Sequence, residues 1–172
     1  MVRVGINGMG EVGRYLLRAH QEQINTILLQ SLVEQGAFQR ALKGLVSEEQ
    51  LSERALQGIK DTLDEQTQAE GLVEIVAVNS RSPPARWAHL LLNSSIYGLF
   101  PGYLGLPGSV RVDDDNNIVV NGRTIKTYAK NNPAEIPWNE MGVNVVIDST
   151  GAYDNKPGIE GHLKSGISKV II

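Results

Sequence analysis

Val2-Arg3-Val4-Gly5-Ile6-Asn7-Gly8-Met9-Gly10-Glu11-Val12-Gly13 is the stretch that decides the reading of this chain. Val2, Val4 and Ile6 lie in a short apolar run that ends at a cluster of glycines, and Val12 to Ala19 continue with helical character. The stretch therefore reads as strand, tight turn, helix. Gly8, Gly10 and Gly13 give G-x-G-x-x-G at that turn. Gly8 permits the turn itself, Gly10 lets a pyrophosphate approach the backbone, and Gly13 lets the helix pack closely. The helix start adds free N–H donors and the positive end of the helix dipole. Dinucleotide binding is the expectation this arrangement sets, against the alternative of a purely structural turn.

The surrounding chain has the matching rhythm. Leu72 to Val78 is a mostly apolar, β-branched run of the kind covered on both faces, and Val143 to Asp148 is another. Val170 to Ile172 begins a fourth strand, with a helix over Asn155 to Lys164 before it and Gly166 placed to end that helix. Strands alternating with helices predict an α/β fold with a doubly wound, mainly parallel sheet. Val110 to Tyr128 departs from the rhythm with three short β-type runs, divided by Asp113-Asp114-Asp115-Asn116-Asn117 and by the hairpin dipeptide Asn121-Gly122. It predicts an antiparallel excursion at the sheet edge. The consecutive aspartates read as a solvated turn, and no metal site is expected.

Residues 21–70 interrupt the pattern a second time. Nine acidic and four basic side chains leave this stretch at −5 and the rest of the chain at +2. Ser47-Glu48-Glu49-Gln50 has the form of a capping box, followed by Leu51, Ala55, Ile59 and Leu63 at spacings of four. Ile24, Leu28 and Leu32 make a similar stripe upstream. The expectation is one domain over 1–172 carrying a helical insertion over 21–70, which either packs on the body or binds a protein partner.

Composition narrows the function classes. Sixteen basic against nineteen acidic residues give a net charge of −3, which offers no general field for nucleic acid or anionic membrane. No apolar run reaches the roughly 20 residues needed to span a bilayer, and the chain opens directly on strand-like sequence, so the expected location is cytoplasmic. With no cysteine in the 172 residues there is no thiol nucleophile. His20, His89 and His162 fall in helix-compatible segments and read as surface or packing residues, and Asp148 reads as a turn former. No catalytic residue is assigned.

A dinucleotide fold of this type places an acidic residue at the end of the second strand to take the ribose hydroxyls. Here that end reads Val76-Ala77-Val78-Asn79-Ser80-Arg81. Ser80 and Arg81 suit a ribose 2′-phosphate, which a carboxylate would repel. The cofactor expectation is NAD or NADP, leaning towards NADP or dual use, with Arg81 as an ordinary loop cation the alternative.

Several further stretches resemble the N-terminal nucleotide-binding part of the glyceraldehyde-3-phosphate dehydrogenase family. They are Val2 to Gly10, Glu74 to Asn79, Tyr97-Gly98-Leu99-Phe100-Pro101-Gly102, Asn121-Gly122, Asn132-Pro133-Ala134-Glu135-Ile136-Pro137-Trp138, and Val145-Val146-Ile147-Asp148-Ser149-Thr150-Gly151. His162-Leu163-Lys164 and Lys169 to Ile172 continue the likeness. The resemblance implies a Rossmann domain in a tetrameric glycolytic oxidoreductase that oxidises and phosphorylates glyceraldehyde 3-phosphate or a close relative. It places Asn7, Gly8, Gly10, Val12, Thr150 and Gly151 against the cofactor.

Five departures accompany it. Glu11 and Asn131 stand where the family has cofactor-side arginines, Ser94 and Tyr97 replace an Asp and a His, and Ser80 is altered as described. The family's cysteine nucleophile is absent from these residues, so this chain alone is expected to bind nucleotide without turnover. Two functions stay open: the nucleotide-binding part of such a dehydrogenase, acting as a homo-oligomer or with a complementing catalytic half, or a noncatalytic Rossmann scaffold whose insertion recruits a partner. The expected cofactor contacts are Asn7, Gly8, Gly10, Glu11, Val12, Asn79, Ser80, Arg81, Asn131, Thr150 and Gly151.

Overall fold

The computed structural model describes residues 1–34, 73–96, 98–100, 109–153 and 156–172. Strand β1 (Val2–Asn7) leads into helix α1 (Glu11–Glu34), and β2 (Val73–Asn79) into helix α2 (Pro84–Leu92). A two-residue ribbon of β3 (Asn93–Ser94) and β4 (Gly98–Leu99) follows. Next come β5 (Val110–Val112), β6 (Ile118–Val120), β7 (Arg123–Tyr128) and β8 (Val145–Asp148), then helix α3 (Lys156–Leu163) and β9 (Lys169–Ile171).

Seven strands form one sheet in the order β5-β6-β7-β2-β1-β8-β9. The pairs β7/β2, β2/β1, β1/β8 and β8/β9 are parallel, and β5/β6 and β6/β7 are antiparallel. The chain steps outwards from β1 to β2 to β7, then returns to place β8 on the other side of β1. This reversal between β1 and β8 is a topological switch point, where neighbouring connections leave on opposite faces and a crevice opens at the carboxyl ends of the strands. The doubly wound sheet with its antiparallel edge is the architecture the alternating pattern predicted.

Each face of the sheet has its own core. Val4, Ile6, Leu17, Ile75, Val78, Trp87 and Leu91 join the sheet to α1 and α2 on one face. Val76, Ala77, Ile136, Trp138, Val146 and Ile167 form the other. Strict alternation would put Val76 and Ala77 on opposite faces. They share one because the β1/β2 register slips between Val4, opposite Ile75, and Gly5, opposite Ala77. Gly5 is obligatory there for want of space, since a Cβ would lie 2.6 Å from the Trp138 ring.

The edge excursion follows the sequence closely. Asn121 and Gly122 both have positive φ, 48° and 82°, as a two-residue turn with the twist of the flanking strands requires. Asp113 closes the preceding turn, its Oδ1 accepting from the backbone N–H of Asp115 (3.0 Å) and Asn117 (2.8 Å).

One boundary differs from expectation. Helix α1 passes through Gln21 without a break and continues to Glu34, so the start of the acidic stretch is no structural boundary. No glycine or proline stands between Gly13 and Gly36, and backbone that has begun a helix has no local reason to leave it. Ile24 therefore sits on α1 with Leu17 and Gln21. The capping box at Ser47 and the stripe from Leu51 to Leu63 lie outside the described residues. No helix among the described residues is long and apolar enough to cross a membrane.

Candidate functional site: a cationic cleft at the switch point

The crevice at the carboxyl ends of β1, β2, β7 and β8 has a volume of about 380 Å³. Its floor is the glycine turn. Gly8 has φ +100°, its N–H donates to the Asn79 carbonyl at 2.8 Å, and a Cβ there would meet Thr150 at 2.9 Å. A Cβ on Gly13 would come within 2.0 Å of the Gly8 carbonyl oxygen, so α1 can start where it does only with glycine at that position. At Gly10, by contrast, a Cβ would meet no protein atom within 4 Å. Two glycines are required by the fold, and the third leaves bare backbone facing open space. That is the cradle a pyrophosphate needs.

The walls are cationic. Arg14, Arg81, Arg86 and Lys130 line the cleft, and no carboxylate does among the described residues. Arg14 is steadied by a bond from Nη1 to the Met9 carbonyl (3.1 Å). In a partly enclosed cleft with low-dielectric walls such a set attracts anions. Tyr153 closes one side, its hydroxyl donating to the Asn131 carbonyl and tying the segment after β8 to that after β7.

Beneath the cleft the strand ends are laced together by buried polar side chains. Asn79 Nδ2 donates to Asn7 Oδ1 (2.8 Å) and to the Lys130 carbonyl (3.0 Å), and its Oδ1 accepts from the Lys130 N–H (2.8 Å). Asn7 Nδ2 donates to Asp148 Oδ2 (2.8 Å). The same oxygen lies 3.0 Å from Nε2 of His162, which is wholly buried and takes a bond on Nδ1 from Trp138 Nε1 (3.1 Å). The other carboxylate oxygen receives the Thr150 backbone N–H (2.9 Å) and hydroxyl (2.6 Å). Burial alone would raise the Asp148 carboxyl, but the bonds from His162, Thr150 and Asn7 outweigh it and hold it below the usual carboxylate value.

Most of the anticipated contacts converge here. Asn7, Gly8, Gly10, Asn79, Ser80, Arg81, Asn131 and Thr150 all line the cleft. Three do not. Glu11 lines a neighbouring recess of about 270 Å³ with Arg14, Tyr15 and Arg18. Val12 is 59% exposed, and Gly151 lies past the turn closed by Ala152 N–H on Thr150 Oγ1 (3.1 Å). For Glu11 and Val12 the reason is simple, and it concerns their side chains alone. The first turn of a helix offers its N–H groups to the strand end, whereas its side chains radiate away from the axis. Glu11 therefore carries its carboxylate outside the cleft, into a recess that shares Arg14 with it.

Arg14, Arg86, Lys130 and Tyr153 were not anticipated. Lys130 could have been, because it follows β7 directly and ligands of open α/β sheets sit beyond the carboxyl ends of strands. Arg14 and Arg86 lie on helices, and only the packing of those helices turns them to the cleft. Nor did sequence disclose the roles of Asp148 and His162, which come from segments 14 residues apart.

The family described as glyceraldehyde 3-phosphate dehydrogenase, NAD binding domain, matches residues 59–156. The chain belongs to this family. Glyceraldehyde-3-phosphate dehydrogenase of Streptomyces coelicolor is 34% identical over 171 residues, covering 99% of this chain and 35% of the relative. The enzyme of the same name from Mycobacterium tuberculosis is 35% identical over 172 residues, 99% of this chain and 37% of the relative. That of Thermotoga maritima is 37% identical over 100 residues, 58% of this chain and 28% of the relative. The chain spans about a third of the length of the curated relatives it matches. It is an NAD-binding domain of the Rossmann type.

Proposed function

We propose that the cleft at the switch point is the dinucleotide site, with Gly10 and the first turn of α1 receiving the pyrophosphate and Arg14 and Lys130 flanking it. One observation carries the reading: Gly10 opens into empty space in a cleft lined by four cations and no carboxylate among the described residues. Asn7 and Asn79 act from below, joining the ends of β1 and β2 so that the loop keeps its shape before ligand arrives.

We assign the adenosine end of the cleft to Ser80, Arg81 and Arg86, and with it acceptance of NADP as well as NAD. Ser80 Oγ accepts from the Ser82 N–H (3.2 Å), which leaves its own proton free to donate to a phosphate oxygen. Two guanidiniums lining the same cleft favour that phosphate further. Bound dinucleotide would supply hydride-transfer chemistry. These 172 residues supply binding and orientation but, lacking cysteine, no thiol for acyl transfer. The relatives' activity on glyceraldehyde 3-phosphate is thus proposed for this domain joined to, or assembled with, a part that carries such a nucleophile.

Calorimetric titration with NAD and NADP in identical salt tests the assignment. Saturable binding is expected with both. The Ser80→Asp variant should lose affinity for NADP selectively, by about tenfold, through repulsion of the 2′-phosphate. Absence of heat and of competition at millimolar nucleotide would overturn the reading.

A further inference from the structure

The hydrogen bonds beneath the cleft have only one self-consistent direction, and it begins far from the ligand. An indole N–H can donate but never accept. Trp138 Nε1 lies 3.1 Å from His162 Nδ1, so Nδ1 is the accepting nitrogen and the imidazole proton resides on Nε2. That proton faces Asp148 Oδ2 at 3.0 Å. Asn7 Nδ2, 3.4 Å from the same ring nitrogen, is also a donor, and its proton goes to the carboxylate at 2.8 Å. Asp148, with a donor on every side and 4% exposure, is an ionised carboxylate that only accepts.

The Thr150 hydroxyl, 2.6 Å from Asp148 Oδ1, must therefore give its single proton to Asp148. One of its two lone pairs is taken by the Ala152 N–H at 3.1 Å. What remains for a ligand is one lone pair, on an exposed residue at the edge of the cleft.

We propose that Thr150 meets the dinucleotide as a hydrogen-bond acceptor for a ribose hydroxyl and is unable to donate to its phosphates, with Asp148 and His162 as the positioning residues that impose this polarity. The inference rests on the dinucleotide reading above and deepens it. A threonine at a strand end beside a glycine turn would ordinarily be assigned to phosphate, because a free hydroxyl can turn either way. Here rotation is stopped by a buried carboxylate, itself held by a buried imidazole. Ribose hydroxyls flank the pyrophosphate in the dinucleotide, and each is a donor that a fixed acceptor can select. The relay also explains a wholly buried histidine in a domain to which no catalytic residue is assigned: it sets the direction of a chain of bonds that reaches the cleft.

The test compares two probes, NAD and inorganic pyrophosphate, in calorimetric titrations of the whole chain. Thr150→Val keeps the shape of an exposed side chain and removes the acceptor. It should weaken NAD about five- to tenfold, the worth of one neutral hydrogen bond, and leave pyrophosphate unchanged. Thr150→Ser should restore NAD binding. Asp148→Asn should weaken NAD by a similar factor in the wild-type background and by less than about twofold in the Thr150→Val background, since it acts through Thr150.

Equal weakening of NAD and pyrophosphate by Thr150→Val would overturn the proposal, because Thr150 would then be a phosphate donor. Fully additive losses in the double variant would overturn the roles of Asp148 and His162. Should Asp148→Asn fail to fold, the two-probe comparison on Thr150→Val decides alone. Wild-type protein that binds neither probe would overturn the dinucleotide reading and this inference with it, whereas binding of both probes with no effect of Thr150→Val overturns the inference only.

Discussion

Two glycines of the same turn have opposite tolerances, and each can be stated as a number. A methyl group on Gly13 has nowhere to go, being 2.0 Å from a backbone oxygen that the Asn79 and Ser149 contacts hold in place. Gly13→Ala is expected to cost about 3 kcal/mol or more in urea denaturation, the scale of overpacking against rigid backbone. Gly10→Ala meets nothing and has no positive φ to defend. Its stability should stay within about 0.5 kcal/mol of wild type, with a small gain from the stiffer unfolded chain, while dinucleotide affinity falls because the methyl occupies the ligand's space. Parallel losses of stability and affinity at Gly10 would refute the assignment. The glycine pattern itself was legible in sequence, because spacing alone encodes it. Which glycine serves the fold and which the ligand was not legible, since that depends on what stands opposite each Cα.

Elements are held by groups that their own sequence does not advertise. Arg18 is 4% exposed on α1 and points its guanidinium at backbone carbonyls of α2 and the ribbon: Leu91 at 3.1 Å, Gly98 at 3.2 Å and Leu99 at 2.7 Å. Its Cζ also lies 5.3 Å from the centre of the Phe100 ring. One cation thus closes the end of a helix and the turn after it. Arg18→Leu should destabilise by about 2–4 kcal/mol, measured by chemical denaturation, because three carbonyls lose a charged donor. His20, one residue-pair further along α1, ties that helix to the start of β2 through Nε2 and the Val73 carbonyl at 3.0 Å. Burial pushes its pKa below 6.5, aided by Arg123, and the Val73 bond and Glu74 offset this only in part. The unfolded state therefore takes up the proton first. His20 contributes its full stabilisation above about pH 6.5, and the contribution is lost as pH falls through the depressed folded value. Thermal melts of wild type and His20→Gln between pH 8 and pH 5 should converge as the medium becomes acidic. A constant difference across that range would refute the role.

For the molecule as a whole, the same linkage extends to stronger acid and to ligand. Asp148 is depressed below its ordinary value of 3.8, so its contribution is complete above about pH 4 and disappears as pH falls through the folded value. Asp148→Asn should flatten the acid limb of the stability profile. Nucleotide acts in the opposite sense, raising the melting temperature by mass action. About 2.7 kcal/mol is gained at a hundredfold excess over Kd, and on the present assignment NADP should raise it at least as much as NAD at equal concentration.

Much of this protein was determined by its sequence alone. Strand and helix order, the antiparallel edge with its Asn121-Gly122 turn and the glycine seat are local patterns, set by periodicity and backbone freedom within a few residues. The tertiary structure decided the rest. It carried α1 past the acidic boundary to Glu34, placed Glu11 outside the cleft, and brought Arg14, Arg86 and Lys130 to one cleft. It also gathered Asn7, Trp138, Asp148 and His162 under a single threonine. The physical reason is the same in each case. Charge, burial and hydrogen-bond direction depend on neighbours across the sheet, and parallel strands bring such neighbours together only after long crossovers that no local pattern records.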